Sequence, residues 1–256
     1  MRKRLGAALI GVVALIAAAC APPTFTDGNI SDTNWAGLVY THNGPPNNLF
    51  TVDARLIMPT IGTCAPGSSA DVGLWSGMGG TKAAPLPNPL PQAGIVIFCP
   101  GGNAINEPAT VGAFWEVPRA DHMGDQKANI NYPIGVSVGD AIDIHVSSDQ
   151  QTPATYSFTV QNERTGAQYV NASEVQVPLT DPTAECIVER SHAELLYFGT
   201  ATFTNCPFYN TGPPFDFTTA RYDIQPNPPN GARLTQTTTA LGGPDDLNVT
   251  VKWLHG

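Results

Sequence analysis

Apolar and polar residues alternate along much of this chain. Phe50, Val52, Ala54, Leu56 and Met58 fall on one side of an extended segment, with Thr51, Asp53 and Arg55 on the other. Ile142, Ile144 and Val146 alternate with Asp143 and His145. Tyr156, Phe158 and Val160 repeat the pattern, as do Val249, Val251 and Trp253. A period of two is that of the β-strand, whose successive side chains point to opposite faces. Short runs of this kind, separated by clusters of Gly, Pro and Asn, predict an all-β fold built as an antiparallel β-sandwich of two large sheets. The chain carries 24 prolines in 256 residues. Proline removes an amide donor and clashes with the preceding turn, so little or no helix is expected.

The first residues break the alternation. Arg2, Lys3 and Arg4 precede an apolar stretch from Leu5 to Ala18, and Ala17-Ala18-Ala19 lead into Cys20. That order of positive, apolar and small residues predicts a signal peptide over 1–19, and the apolar run is too short for a membrane span. Cys20 after small residues fits a lipidation site, and cleavage after an A-x-A triplet fits as well. The expected location is therefore secreted, or anchored to the outer cell surface through Cys20. Residues 20–33 read as a flexible lead and 34–256 as a single domain. Within it, the Pro-rich segments 82–91 and 207–230 read as loops.

Composition narrows the partners. The whole chain carries a formal charge of −9, and loss of Arg2, Lys3 and Arg4 makes the remainder more acidic. Phosphate binding needs clustered Lys and Arg, so a nucleic-acid partner is excluded. Four cysteines remain beyond Cys20, namely Cys64, Cys99, Cys186 and Cys206. In an exported chain they predict two disulfides, with three possible connectivities. If 71–78 and 92–99 pair as antiparallel strands, Cys64 and Cys99 meet at the far end. Cys64–Cys99 is then the favoured bridge, leaving Cys186 for Cys206. No spacing of Cys and His suggests zinc or another metal, and no cofactor is expected.

Two stretches offer chemistry. Gly135-Val136-Ser137-Val138-Gly139 matches G-x-S-x-G, but a nucleophile elbow needs a helix after the serine, and Asp140 to Val146 alternate as a strand. A turn entering a strand is the expected structure there. The segment Thr183 to Arg190 reads as a buried strand, yet it holds two glutamates. Glu185, Ile187 and Glu189 project to one face, and Cys186, Val188 and Arg190 to the other. Carboxylates beside Ile187 belong to a solvated outer face or line a cleft; on pattern alone the outer face is favoured. In a cleft, desolvation raises a carboxyl pKa and suits it to acid–base work.

Several segments, in order, resemble the glutamic peptidase family, the eqolisins. Asn34-Trp35-Ala36-Gly37 resembles the start of the family's mature domain, and Gly73-Leu74-Trp75-Ser76-Gly77 its W-x-G strand. Leu90-Pro91-Gln92-Ala93-Gly94 resembles the strand that bears the catalytic glutamine. Phe114-Trp115-Glu116-Val117-Pro118 resembles the cleft segment, Ala184 to Arg190 the glutamate strand, and Phe203-Thr204-Asn205-Cys206 a later strand. The resemblance runs from about Asn34 to the C-terminus. It implies a concanavalin-like sandwich and an endopeptidase acting at acid pH on proteins or peptides without metal. It further implies catalytic roles for Gln92 and Glu189, and a cleft lined by Trp75, Phe114, Trp115 and Glu116. An ionised Glu189 would take a proton from a bound water, and Gln92 would steady the oxyanion. Cys186 stands where the family has tryptophan, and Ser191 where it has proline. A monomer is expected. Two other readings of the same residues are a non-catalytic lectin-like or peptide-binding β-sandwich on the cell surface, and a glycoside hydrolase with two carboxylates ~5–9.5 Å apart.

Overall fold

In a computed structural model, the described residues are 25–32, 34–42, 51–80, 89–101, 107–118, 126–127, 132–149, 154–175, 179, 183–190, 194–206, 208–209, 217–224, 233–241 and 247–254. Residues 1–19, expected to be a signal peptide, Cys20 and most of the Pro-rich segment before Gln92 lie outside them.

Eighteen strands, numbered in chain order, are formed by these residues, with no helix among them. The first large sheet has the order β1 (Phe25–Asp32), β16 (Phe217–Ile224), β2 (Trp35–His42), β13 (Thr183–Glu189), β5 (Asp71–Met78), β6 (Gln92–Phe98), β8 (Thr110–Val117) and β9 (Gln126–Lys127). The second runs β12 (Gln168–Val175), β11 (Ala154–Asn162), β10 (Ala141–Ser148), β3 (Thr51–Ile57), β14 (Thr200–Thr204), β18 (Leu247–Trp253) and β17 (Thr235–Leu241). The alternating residues of β3 behave as their pattern predicts: Val52, Ala54 and Leu56 are buried between the sheets, and Asp53 and Arg55 are not.

The inner faces meet in one apolar core. Leu38, Leu74, Ile95 and Val188 from the first sheet face Leu56, Ile144, Phe158 and Val251 from the second. Two disulfides reinforce it. Cys64 joins Cys99 with Cα atoms 5.5 Å apart, and Cys186 of β13 joins Cys206 just beyond β14, with Cα atoms 6.6 Å apart. The second bridge ties the two sheets together behind the glutamate strand.

Two expected loops are strands. Residues 25–32, read as a flexible lead, form β1, which pairs in parallel with β16. Within 207–230, read as a loop, Phe217–Ile224 forms β16, paired also with β2. Backbone pairing to an existing sheet edge stabilises these stretches, and in β1 side-chain periodicity carries little of that information.

The Gly135–Gly139 motif is a turn entering β10, as expected. Its anchor is Asp140, which accepts hydrogen bonds from the Ser137 amide (2.8 Å), the buried Asn162 side chain (2.9 Å) and the Arg164 guanidinium (2.5 and 2.9 Å). Arg164 first, and then Asn162 and the Ser137 amide, hold the Asp140 carboxyl well below the usual carboxylate range. A depressed folded pKa contributes stability above the unfolded value near 4 and loses it as pH falls through the folded value. Asp140→Asn is therefore expected to lower the urea midpoint most above pH 4, the gap to wild type closing toward pH 2. Parallel unfolding curves at pH 5 and pH 2 check this.

Candidate active site

The outward face of the first sheet carries the residues of interest, and strand register fixes their arrangement. On β13, Glu185, Ile187 and Glu189 share this face, as alternation predicts. Three rows cross the sheet. The first runs Val39–Glu185–Gly77–Gln92–Glu116, the second Tyr222–Gly37–Ile187–Trp75–Gly94–Phe114, and the third Trp35–Glu189–Gly73–Val96–Gly112. Gln92 and Glu189 thus lie on one face of one sheet, with β5 between their strands and four residues of offset along them. No hydrogen bond joins the two side chains among the described residues.

Trp75 fills the space between them. Its indole runs along its own strand. A Cβ placed on Gly73 would lie 3.5 Å from the Trp75 Cδ1, and one on Gly77 would lie 3.2 Å from its Cζ3. The missing side chain at 77 leaves room for the far edge of the ring, whereas a Cβ at 73 would be an ordinary neighbour. Its Nε1–H donates to Glu189 Oε2 at 2.8 Å. At the other end, the Cβ position of Gly77 is 3.0 Å from Gln92 Cβ. The glycines at 37 and 94, on either side of Ile187 and Trp75, bring backbones together. A Cβ at Gly94 would stand 2.1 Å from the Leu74 carbonyl oxygen, and one at Gly37 2.1 Å from that of Cys186.

Each polar group has a distinct environment. Gln92 is buried, and its Nε2–H donates to Glu116 Oε1 at 2.5 Å. That bond fixes which way the amide points, and Gln92 Oε1 has no hydrogen-bond partner among the described residues. Glu189 keeps part of its surface exposed, but its carboxyl group is desolvated, and this pushes its pKa up to about 7. The indole N–H groups of Trp75 and Trp35 oppose the shift, while the Glu116 and Asp71 charges add to it. At pH 3 to 4 the carboxyl is therefore protonated, which reverses the ionised state expected from sequence. A neutral carboxyl of this kind can donate a proton, and its conjugate base can take one back.

Of the residues expected to line a cleft, Trp75, Phe114 and Glu116 lie on this face. Trp115 does not. It points into the core and stacks on Phe158 with ring centroids 4.9 Å apart, because alternation along β8 places it opposite Phe114 and Glu116. Glu185 is fully buried on the outward face rather than solvated. Sequence reasoning missed Trp35 and Tyr222 as members of the site. Trp35 packs edge-on to Trp75 at 5.3 Å and Tyr222 to Trp35 at 6.4 Å. Trp35 is the direct register partner of Glu189, far away in sequence. No three His, Cys, Asp or Glu residues among those described gather closely enough to hold a metal ion.

Comparison with known proteins places this arrangement. Scytalido-glutamic peptidase, solved with a peptide-based transition-state analogue, superposes with a TM-score of 0.60 at 17% identity, over 87% of this chain and 99% of that one. SCP-B, an eqolisin solved in complex with the tripeptide Ala-Ile-His, superposes with a TM-score of 0.58 at 17% identity and the same coverage. Aspergilloglutamic peptidase from Aspergillus niger gives a TM-score of 0.50 at 24% identity, over 72% of this chain and 99% of that one. These likenesses establish the eqolisin β-sandwich. No curated protein matches in sequence. Residues 33–253, which leave out only β1 among the strands, match the model of the Peptidase A4 family, and the chain belongs to that family of peptidases.

Proposed function

We propose that the chain is an exported, acid-acting glutamic endopeptidase in which Glu189 carries the proton and Gln92 stabilises the oxyanion. The observation that carries this reading is the desolvated Glu189 carboxyl, held by indole N–H groups on the same sheet face as an amide oriented by Glu116. Export rests on the signal-like N-terminus and the two disulfides, the chain being either secreted or anchored to the outer cell surface through a lipid on Cys20.

A peptide bound on this sheet face beside Glu189 and Gln92 would offer its carbonyl to both groups. In acid, neutral Glu189 gives its proton to the scissile carbonyl oxygen as water attacks the carbon. The second Gln92 N–H donates to that same oxygen. The Glu189 carboxylate then takes the surplus proton of the attacking water, leaving a neutral gem-diol. It passes this proton to the amide nitrogen as the C–N bond breaks, and recovers one from a hydroxyl of the nascent acid. Water is consumed, and Glu189 ends protonated as it began. Peptide is the substrate class, consistent with a Peptidase A4 fold and with the peptide-like molecules bound by the solved relatives.

The pH profile tests this order of events. Because the proton donor is lost on ionisation, kcat/KM is expected to hold through the acid range and to fall tenfold per unit once pH exceeds about 7. Steady-state rates on a quenched fluorescent peptide between pH 3 and 9 measure it. A rate that climbs from pH 4 to a plateau above 7 would mean that the ionised form is the active one, and would overturn the proposed sequence of transfers.

A further inference from the structure

On the face of the first sheet opposite Glu189, where the apolar core reaches one end of the sandwich, lies a cavity of about 350 Å³. That size falls at the lower end of the range for small-molecule sites, ~300–1,000 Å³. Cys99, Leu195, Leu196 and Leu234 form its buried apolar interior and belong to the inter-sheet core. Backbone bonds hold these walls in place. The Leu196 N–H donates to the Asp71 carbonyl at 3.1 Å, the Cys99 N–H to Ala70 at 2.9 Å, and the Leu234 N–H to Ile224 at 2.9 Å. Two charged side chains line the cavity at different depths. Arg190 directly follows Glu189, is turned to the opposite face by strand alternation, and is only 7% exposed. Glu194 is exposed at the mouth, where Ser68 Oγ donates to its Oε2 at 3.2 Å. A guanidinium carries five N–H donors and a carboxylate about four acceptor sites, so each has capacity beyond one neighbour.

We propose that this cavity binds a small zwitterion with an apolar side chain, either a free amino acid such as leucine or a dipeptide that ends in one. Its carboxylate pairs with Arg190, its ammonium with Glu194, and its side chain lies against Leu195, Leu196 and Leu234. Each part of the ligand answers a part of the wall. A buried guanidinium selects a carboxylate through its planar fork. The acidic mouth disfavours a simple anion and accepts a cation. The leucine walls gain from apolar area removed from water. This site is separate from the face that carries Gln92 and Glu189, and it goes beyond the hydrolytic reading given above.

The test titrates the isotope-labelled protein with leucine and with Ala-Leu at pH 6, where both ends of each ligand are charged. It follows the backbone amides of Leu195, Leu196 and Leu234 by NMR. At least one ligand is expected to give saturable shifts centred on these residues, and the tighter of the two names the source. 4-Methylpentanoate lacks the ammonium and 3-methylbutylamine lacks the carboxylate; each is expected to bind at least about tenfold more weakly than leucine. Glu194→Gln, at an exposed position, is expected to bring leucine down to the level of 4-methylpentanoate. Arg190→Lys keeps the charge without the fork and is expected to weaken both zwitterions. Absence of saturable shifts with leucine and Ala-Leu, or unchanged affinity in Glu194→Gln, overturns the proposal. Glu189→Gln is expected to bind both ligands as wild type does. Intact binding in a wild type that cleaves no peptide would therefore overturn the hydrolytic reading and leave this site standing.

Discussion

Glu189→Gln is expected to lower kcat on any peptide substrate by about 10³-fold or more while leaving the fold intact. Removing a general acid–base group costs roughly 10²–10⁴ in rate, and here one carboxyl carries every proton the reaction moves. The substitution is nearly isosteric. A glutamine at 189 still offers an oxygen to the Trp75 indole, whose bond to Oε2 is 2.8 Å long, so the neighbouring aromatic packing stays in place. Stability gives an independent reading of the same substitution. A carboxyl whose folded pKa is raised contributes stability below its unfolded value, and loses it as pH rises through the folded value, here about 7. Glutamine has no such dependence. The variant is expected to match wild type in thermal midpoint at pH 3 to 4 and to exceed it at pH 8. Activity lost together with stability at pH 4 would mean that Glu189 is a structural residue.

The second large effect is on folding. Gly94→Ala is expected to destabilise the protein by more than about 4 kcal/mol, the range reserved for severe strain or cavity defects. An added Cβ would stand 2.1 Å from the Leu74 carbonyl oxygen and 2.7 Å from the Trp75 Cα, both backbone atoms of the paired strand. Relief requires β5 and β6 to separate, and this breaks the row that holds Trp75. Gly73→Ala is the matched control. Its nearest contacts are Trp75 Cδ1 at 3.5 Å and Glu189 Cβ at 3.8 Å, ordinary van der Waals distances. It is expected to fold with a midpoint close to wild type. Urea unfolding of the two variants side by side measures the contrast.

How far the residues announced all this depends on the range of the interaction. Period-two alternation placed β3, β10, β11 and β18, because burial of one face is written directly into consecutive side chains. It also put Glu185, Ile187 and Glu189 on one face. Beyond this, the resemblance to eqolisins was needed to single out Gln92, since a lone glutamine before Ala-Gly has no local signature. Trp115 was misassigned although the rule that corrects it is the same alternation: Phe114 and Glu116 share a face, so the residue between them cannot. β1 escaped because its strand is stabilised by neighbouring backbone and its run of Asp, Gly, Asn and Ser shows no apolar face, whereas β16 does alternate, with Ala220, Tyr222 and Ile224 on one side, and was passed over inside a Pro-rich segment. Trp35 and Tyr222 join the site through cross-strand register, which links residues more than a hundred positions apart. The protonated state of Glu189 likewise needed three dimensions, because desolvation is a property of the packed carboxyl and not of its neighbours in sequence.

The most direct test incubates denatured globin at pH 3.5 with wild type, Glu189→Gln and Gln92→Ala, in the presence of pepstatin and a chelator, and reads new peptide termini by mass spectrometry. Wild type is expected to generate discrete internal cleavages despite both inhibitors. Glu189→Gln should generate none, and Gln92→Ala should be slower by about 10²–10³, the cost of losing one oxyanion donor. Equal digestion by all three proteins would contradict the account.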